Sequence, residues 1–66
     1  MSRYEELCKR LKKMRHFTSE ELYKTILDCG YSLSSGSYLV WRLKKEGLIE
    51  LVETYGKTKV YRWVRR

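Results

Sequence analysis

Residues 29–50, Cys-Gly-Tyr-Ser-Leu-Ser-Ser-Gly-Ser-Tyr-Leu-Val-Trp-Arg-Leu-Lys-Lys-Glu-Gly-Leu-Ile-Glu, read as a turn, an amphipathic helix and the start of a strand. Gly30 can close a preceding helix in the left-handed conformation, and the Ser32 hydroxyl can accept an orphan N–H of the next helix's first turn. Between Ser32 and Glu46 the apolar positions Gly36, Leu39, Val40 and Leu43 recur at helical spacing. Ser34, Ser37, Tyr38, Trp41, Arg42 and Lys45 fall on the other side, so one face packs while the other is hydroxylated, aromatic and basic. Gly47 stops the helix, and Leu48-Ile49 opens an apolar alternation that runs into a hairpin.

Upstream lie two more helices. Ser2 and Glu5 have capping-box spacing, and Tyr4, Leu7, Cys8, Leu11 and Met14 follow periodically, which predicts a first helix over about 3–15 with a basic outer face. Thr18 with Glu21 is a second capping box, and Phe17 can staple onto Leu22. The buried stripe expected of this second helix is Leu22, Tyr23, Ile26, Leu27 and Cys29, ending at Gly30. Downstream, 48–54 and 58–64 alternate as two strands around Tyr55-Gly56-Lys57. Setting Thr54 opposite Thr58 pairs Glu53 with Lys59, Val52 with Val60, Leu51 with Tyr61, Glu50 with Arg62 and Ile49 with Trp63, all of them complementary. Ile49, Leu51, Tyr61 and Trp63 then share one face and Leu48, Val52, Val60 and Val64 the other. Three helices cover only one of these faces, which leaves an apolar surface for a partner.

These residues resemble the winged helix-turn-helix family of transcription regulators. Its recognition-helix pattern is met by Gly30, Tyr31, Ser32, Ser34, Val40, Leu43 and Gly47-Leu48-Ile49. Cys29 stands where the family has Leu, Ser35 where it has Thr, and Gly36 where it has Val or Ile. The resemblance covers 18–63 and implies an α+β fold in a single 1–66 domain: three helices followed by a two-stranded β-hairpin wing. It further implies sequence-specific binding to double-stranded DNA, with the recognition helix, about 33–46, in the major groove and the wing on the flanking backbone or minor groove. On that reading Ser34, Ser35 and Ser37 contact backbone or base edges and Tyr38 packs on sugar or a thymine methyl. Arg42 reads guanine or phosphate, and Trp41 and Lys45 extend the face. Lys57, Thr58 and Lys59 lie at the wing tip. The alternative makes the serines capping and polar surface, with Tyr38 and Trp41 partly in the core. Small winged-helix proteins of hyperthermophilic archaea and their viruses are similar in size and composition.

The chain has 66 residues and a formal charge of +7, with a pI near 9.7. Residues 1–15 carry six basic and two acidic groups (+4), 16–30 one and three (−2), and 31–66 eight and three (+5). This charge points to a polyanionic partner, nucleic acid before membrane. The longest apolar run, Tyr38-Leu39-Val40-Trp41, is far short of the roughly 20 residues that span a bilayer, and no secretory signal is apparent, so the expected location is the cytoplasm, of a host cell if the source is viral. Pro, Ala, Asn and Gln are absent; the missing amides and abundant charges point to heat adaptation, and they remove the usual bidentate readers of adenine.

One His and two Cys cannot form a four-ligand metal site, and no phosphate loop, carboxylate pair or triad is present. The expectation is a protein that is not an enzyme and uses no cofactor or small-molecule ligand. Cys8 and Cys29 each lie on an apolar stripe, as buried free thiols or as a disulfide of the kind intracellular hyperthermophile proteins tolerate. A domain this small buries only about 60% of its unfolded surface. With the two-sided hairpin, that points to a homodimer. Two other readings share the same residues: a winged-helix protein-interaction module, and a nonspecific nucleic-acid binder held by charge alone.

Overall fold

A computed structural model of the chain describes residues 2–64. Three helices and three strands follow in the order α1 (Arg3–Met14), β1 (His16–Thr18), α2 (Ser19–Asp28), α3 (Gly36–Lys45), β2 (Ile49–Tyr55) and β3 (Thr58–Trp63), with a 3-10 turn over Leu33–Ser35 leading into α3. The arrangement is α+β and winged-helix-like, but its sheet has three strands rather than the two of the expected hairpin.

The added strand is β1, which pairs antiparallel with β3, so the sheet order is β1-β3-β2. Its three residues are too few to show an alternation, and its partner is remote in sequence. Phe17, between two capping signals, reads locally as a helix junction. In the fold it is 1% exposed and stacks near Tyr61, with ring centroids 6.4 Å apart. The passage from α1 straight into β1 is made at Arg15, which has φ 67° and ψ −55°, a strained γ-turn-like conformation for a residue with a Cβ. Its carbonyl is used at once, accepting the Trp63 N–H at 2.7 Å.

The helix starts follow local chemistry. Thr18 caps α2 with the full reciprocal box: Glu21 N–H donates to Thr18 Oγ1 at 3.2 Å, and Thr18 N–H to Glu21 Oε1 at 2.9 Å. At α1 the Ser2 hydroxyl accepts from Glu5 N–H at 3.1 Å. Ser32 behaves otherwise. Its side chain makes no cap bond to the helix and instead meets the hydroxyls of Ser34 at 2.9 Å and Ser35 at 3.2 Å. Gly30, at φ 93°, turns the chain from α2 toward α3, as expected.

Leu7 and Leu11 of α1, Phe17, Leu22 and Ile26 of α2, Leu39 and Leu43 of α3, and Leu48, Ile49 and Tyr61 form one core. In α2 the buried stripe runs through Thr25, whose hydroxyl donates to the Glu21 carbonyl at 2.8 Å, while Leu27 is 46% exposed. Leu27 lies one helical step beyond Ile26, which carries it past the edge of the stripe.

Gly36 explains the departure from the family pattern at its position. A Cβ built there would stand 2.3 Å from Cε1 of Tyr23, so the ring of α2 occupies the space a Val or Ile would need. The close crossing of the two helices depends on that absent side chain.

The hairpin keeps the expected register from Ile49–Trp63 through Leu51–Tyr61 and then departs from it. Val52 is an extra residue in β2, so Glu53 faces Val60, Thr54 faces Lys59 and Tyr55 faces Thr58. The turn is thereby the two residues Gly56-Lys57, with Gly56 at φ 59° in the first position.

Candidate nucleic-acid interface

Positions 34, 38, 41 and 45 have the i, i+4, i+7, i+11 spacing of one helical ridge, and α3 with its leading turn sets Ser34, Tyr38, Trp41 and Lys45 along its solvent side. Tyr38 is 56% and Trp41 54% exposed, so neither belongs to the core. Their ring centroids are 6.0 Å apart at an interplanar angle of 34°, and Lys45 Nζ lies 4.8 Å from the Trp41 centroid. The serine hydroxyls gather at the start of this ridge, with Ser34 exposed and Ser35 half-buried.

The two flanks of the ridge differ. On one, exposed Ser37 and Lys44 face the wing across a cleft of about 400 Å³, completed by Ser19 and Tyr23 of α2, Trp41, and Lys57, Lys59 and Tyr61 of the hairpin. Lys57, Lys59 and Tyr61 alternate along the chain, which brings both lysines to the side on which Tyr61 packs. The bulge at Val52 matters here, because it sets Thr54 rather than Glu53 directly across from Lys59. Lys44 Nζ stands 5.1 Å from the Tyr61 ring centroid. Among the described residues, three lysines and no carboxylate line the cleft. Thr58, beside them in sequence, is half-buried opposite Tyr55.

The other flank turns toward α1. The Arg42 guanidinium lies 4.1 Å from the Tyr4 ring centroid, and its Nε donates to Glu46 Oε2 at 2.9 Å. Tyr4 donates its hydroxyl to Glu46 Oε1 at 2.7 Å. Burial, and then that hydrogen bond to a carboxylate, holds the Tyr4 phenol protonated well above its ordinary range, while the bond to Glu46 raises the pKa of Arg42. Of the residues expected in the site, Ser34, Ser37, Tyr38, Trp41, Lys45, Lys57 and Lys59 thus lie on the α3 ridge or at the cleft. Arg42 lies apart from the cleft, in a network with α1.

Lys44 and Ser19 are cleft residues that the sequence reading did not single out. The i, i+7 spacing of Ser37 and Lys44 was the available signal for Lys44. Ser19 had none, because it opens α2 and reaches the site only through the helix crossing.

The expected alternative of a disulfide between Cys8 and Cys29 of one chain is not supported: within the chain both stand as free thiols. Cys8 lies beside Tyr4 and Trp63, whereas Cys29 feels the charges of Glu6 and Arg10. Those two residues are each about 200° around α1 from Cys8, so the thiols address different flanks of one helix. Burial raises the pKa of both and lowers their thiolate content.

A solved structure of HOP2, from work on its DNA recognition and protein interaction domains and its homologous DNA pairing properties, matches this chain with a TM-score of 0.70 and 20% identity. The match covers 96% of this chain and 100% of that one. At this identity the likeness establishes the fold, a winged helix. No family model and no curated protein matches the sequence. Among the described residues no helix is long and apolar enough to cross a membrane.

Proposed function

We propose that this chain is a double-stranded DNA-binding regulator of transcription, acting inside the cell as a homodimer and carrying out no bond chemistry of its own. α3 presents its Ser34–Tyr38–Trp41–Lys45 ridge to the major groove, and Lys44, Lys57 and Lys59 neutralise the phosphates beside it. One observation carries the reading: among the described residues, the cleft between α3 and the wing is lined by three lysines and no carboxylate. A cationic groove alongside an exposed helix matches the alternation of groove and backbone on a duplex. The net charge of +7 supports the same partner, and the HOP2 structure with which the chain shares its fold comes from a protein studied for DNA recognition.

Selection of bound sequences from a random duplex library, followed by affinity measurement across salt concentrations, tests the proposal. A regulator recovers a consensus and binds it at least about a thousandfold more tightly than random duplex. A steep salt dependence with no consensus would mark binding by charge alone. Failure to retain any duplex at physiological salt would leave the same face to a protein partner.

A further inference from the structure

α3 carries few groups suited to reading base edges. The chain contains no Asn or Gln, the residues that bond adenine through two hydrogen bonds. The only arginine in α3, Arg42, is bonded to Glu46 and laid against Tyr4 on the α1 side. The outward ridge offers instead two adjacent aromatic rings, Tyr38 and Trp41, each more than half exposed and neither used by the core. In a paired duplex the faces of the bases are hidden in the stack, so such rings meet only sugars and methyl edges there. An unpaired base presents a full π-face, which an aromatic side chain accepts whatever the base.

We propose that Tyr38 and Trp41 form a stacking platform for unpaired bases, so that the protein binds DNA most tightly where a short opened segment lies within duplex. The surroundings of the rings fit this use. Trp41 borders the cleft that holds Lys44, Lys57 and Lys59, which places cations for a sugar-phosphate strand directly beside the ring that takes its base. Lys45 Nζ lies over one face of the Trp41 ring, 4.8 Å from its centroid, so a base stacking on that face displaces a flexible ammonium, which then stands beside the incoming strand. Among the sites that α3 and the wing select, those that open easily are then favoured, pyrimidine–purine steps above all because they unstack most readily. The inference rests on the DNA-binding reading and specifies which form of DNA the α3 face takes.

Fluorescence anisotropy with a labelled duplex, and with the same duplex carrying a central mismatched bubble, tests it. The wild-type chain should bind the bubble about tenfold more tightly than the paired duplex, the scale of one base–aromatic stack. Replacing both rings, Tyr38→Ala with Trp41→Ala, should bring that ratio close to one. Trp41→Phe should retain most of it. Both side chains lie outside the core, and far-UV circular dichroism confirms that each variant is folded. A wild-type ratio near one, with duplex binding intact, overturns the platform and leaves the DNA-binding reading standing. A ratio unchanged in the double variant overturns it equally, whereas no binding to either probe removes both readings together.

Discussion

The hydroxyl of Tyr4 donates a 2.7 Å hydrogen bond to Oε1 of Glu46, joining the first turn of α1 to the residue that caps α3. The other carboxylate oxygen of Glu46 takes Arg42, so one acidic side chain orients both the phenol and the guanidinium laid on it. Replacing Tyr4 with Phe should lower unfolding stability by about 1 kcal/mol, the usual net contribution of such a bond. In a Glu46→Ala background the same replacement should cost much less, and a double-mutant cycle by urea denaturation measures that coupling. Equal costs in both backgrounds would separate the two residues energetically.

The pH dependence of this contact has a definite sign. Burial and the bond to Glu46 raise the folded-state pKa of Tyr4, so the folded chain holds the phenolic proton more tightly than the unfolded chain does. The contribution is complete below the ordinary phenol value of about 10 and is lost as pH climbs from there toward the folded-state value. Wild-type stability should therefore fall more steeply than that of Tyr4→Phe as pH rises above about 10. Parallel curves from urea titrations across alkaline pH would contradict it.

Gly36 and Tyr23 set two energies against each other. Gly36 is the first residue of α3 and has φ −57° and ψ −49°, which alanine adopts without strain, so Gly36→Ala gains about 0.4 to 1 kcal/mol through a less flexible unfolded chain if space permits. The Cβ, however, would lie 2.3 Å from the Tyr23 ring, and overpacking of this kind costs about 1 to 3 kcal/mol. The expected result is net destabilisation of Gly36→Ala, with much of the loss recovered when Tyr23→Ala clears the space. Thermal or urea unfolding of the two single variants and the pair decides the matter; stabilisation by Gly36→Ala alone would mean that the ring moves aside freely.

The parts of this fold that the sequence made legible are those set by neighbours along the chain. Thr18 and Glu21 announce the start of α2 because both halves of the box lie within one turn, and Gly36, Leu39 and Leu43 mark the packing face of α3 by their spacing. β1 was illegible because Phe17 declares itself only against Tyr61, far along the chain. The bulge was hidden for a different reason. An unbroken register pairs Glu53 with Lys59 and satisfies every side chain, so nothing local demands the extra residue at Val52. The site divides in the same way. That Tyr38 and Trp41 lie opposite the buried stripe follows from α3 alone. That Lys44 faces the wing while Arg42 turns to Tyr4 depends on which neighbour packs on each flank, and spacing within one helix does not carry that information.

The lysines of the cleft make a quantitative test of the interface. Each phosphate contact on B-DNA contributes roughly 0.9 to the slope of log affinity against log salt. Lys57→Ala with Lys59→Ala should reduce that slope by roughly 2, and adding Lys44→Ala should take it to nearly 3. The loss should be uniform across duplex sequences, since these residues meet the backbone. A slope unchanged by all three replacements would remove the cleft from the interface.

The homodimer is expected to form through the β2 side of the sheet. In the order β1-β3-β2, β2 is an edge strand, and Leu51 and Val52 within it are each 49% exposed. An edge strand with exposed apolar side chains favours pairing with another copy, and a two-fold axis makes such a contact self-complementary. The bulge at Val52 limits how far a strand can pair there, so the apolar side chains, more than backbone bonds, must supply the contact. One protomer measures 33 × 27 × 19 Å. Two such bodies side by side can set their α3 helices one turn of B-DNA apart, about 34 to 36 Å, which predicts an inverted repeat at that spacing. Joining two weak modules then raises affinity through effective concentration without any new base contact. Sedimentation equilibrium at micromolar concentration should give twice the chain mass with or without reductant, since both cysteines are free thiols in the fold. Leu51→Lys with Val52→Lys should shift the mass to that of one chain and weaken binding to the repeat more than to a half-site. A monomer at all concentrations, with selected sites that lack a repeat, would leave the β2 surface to a different partner.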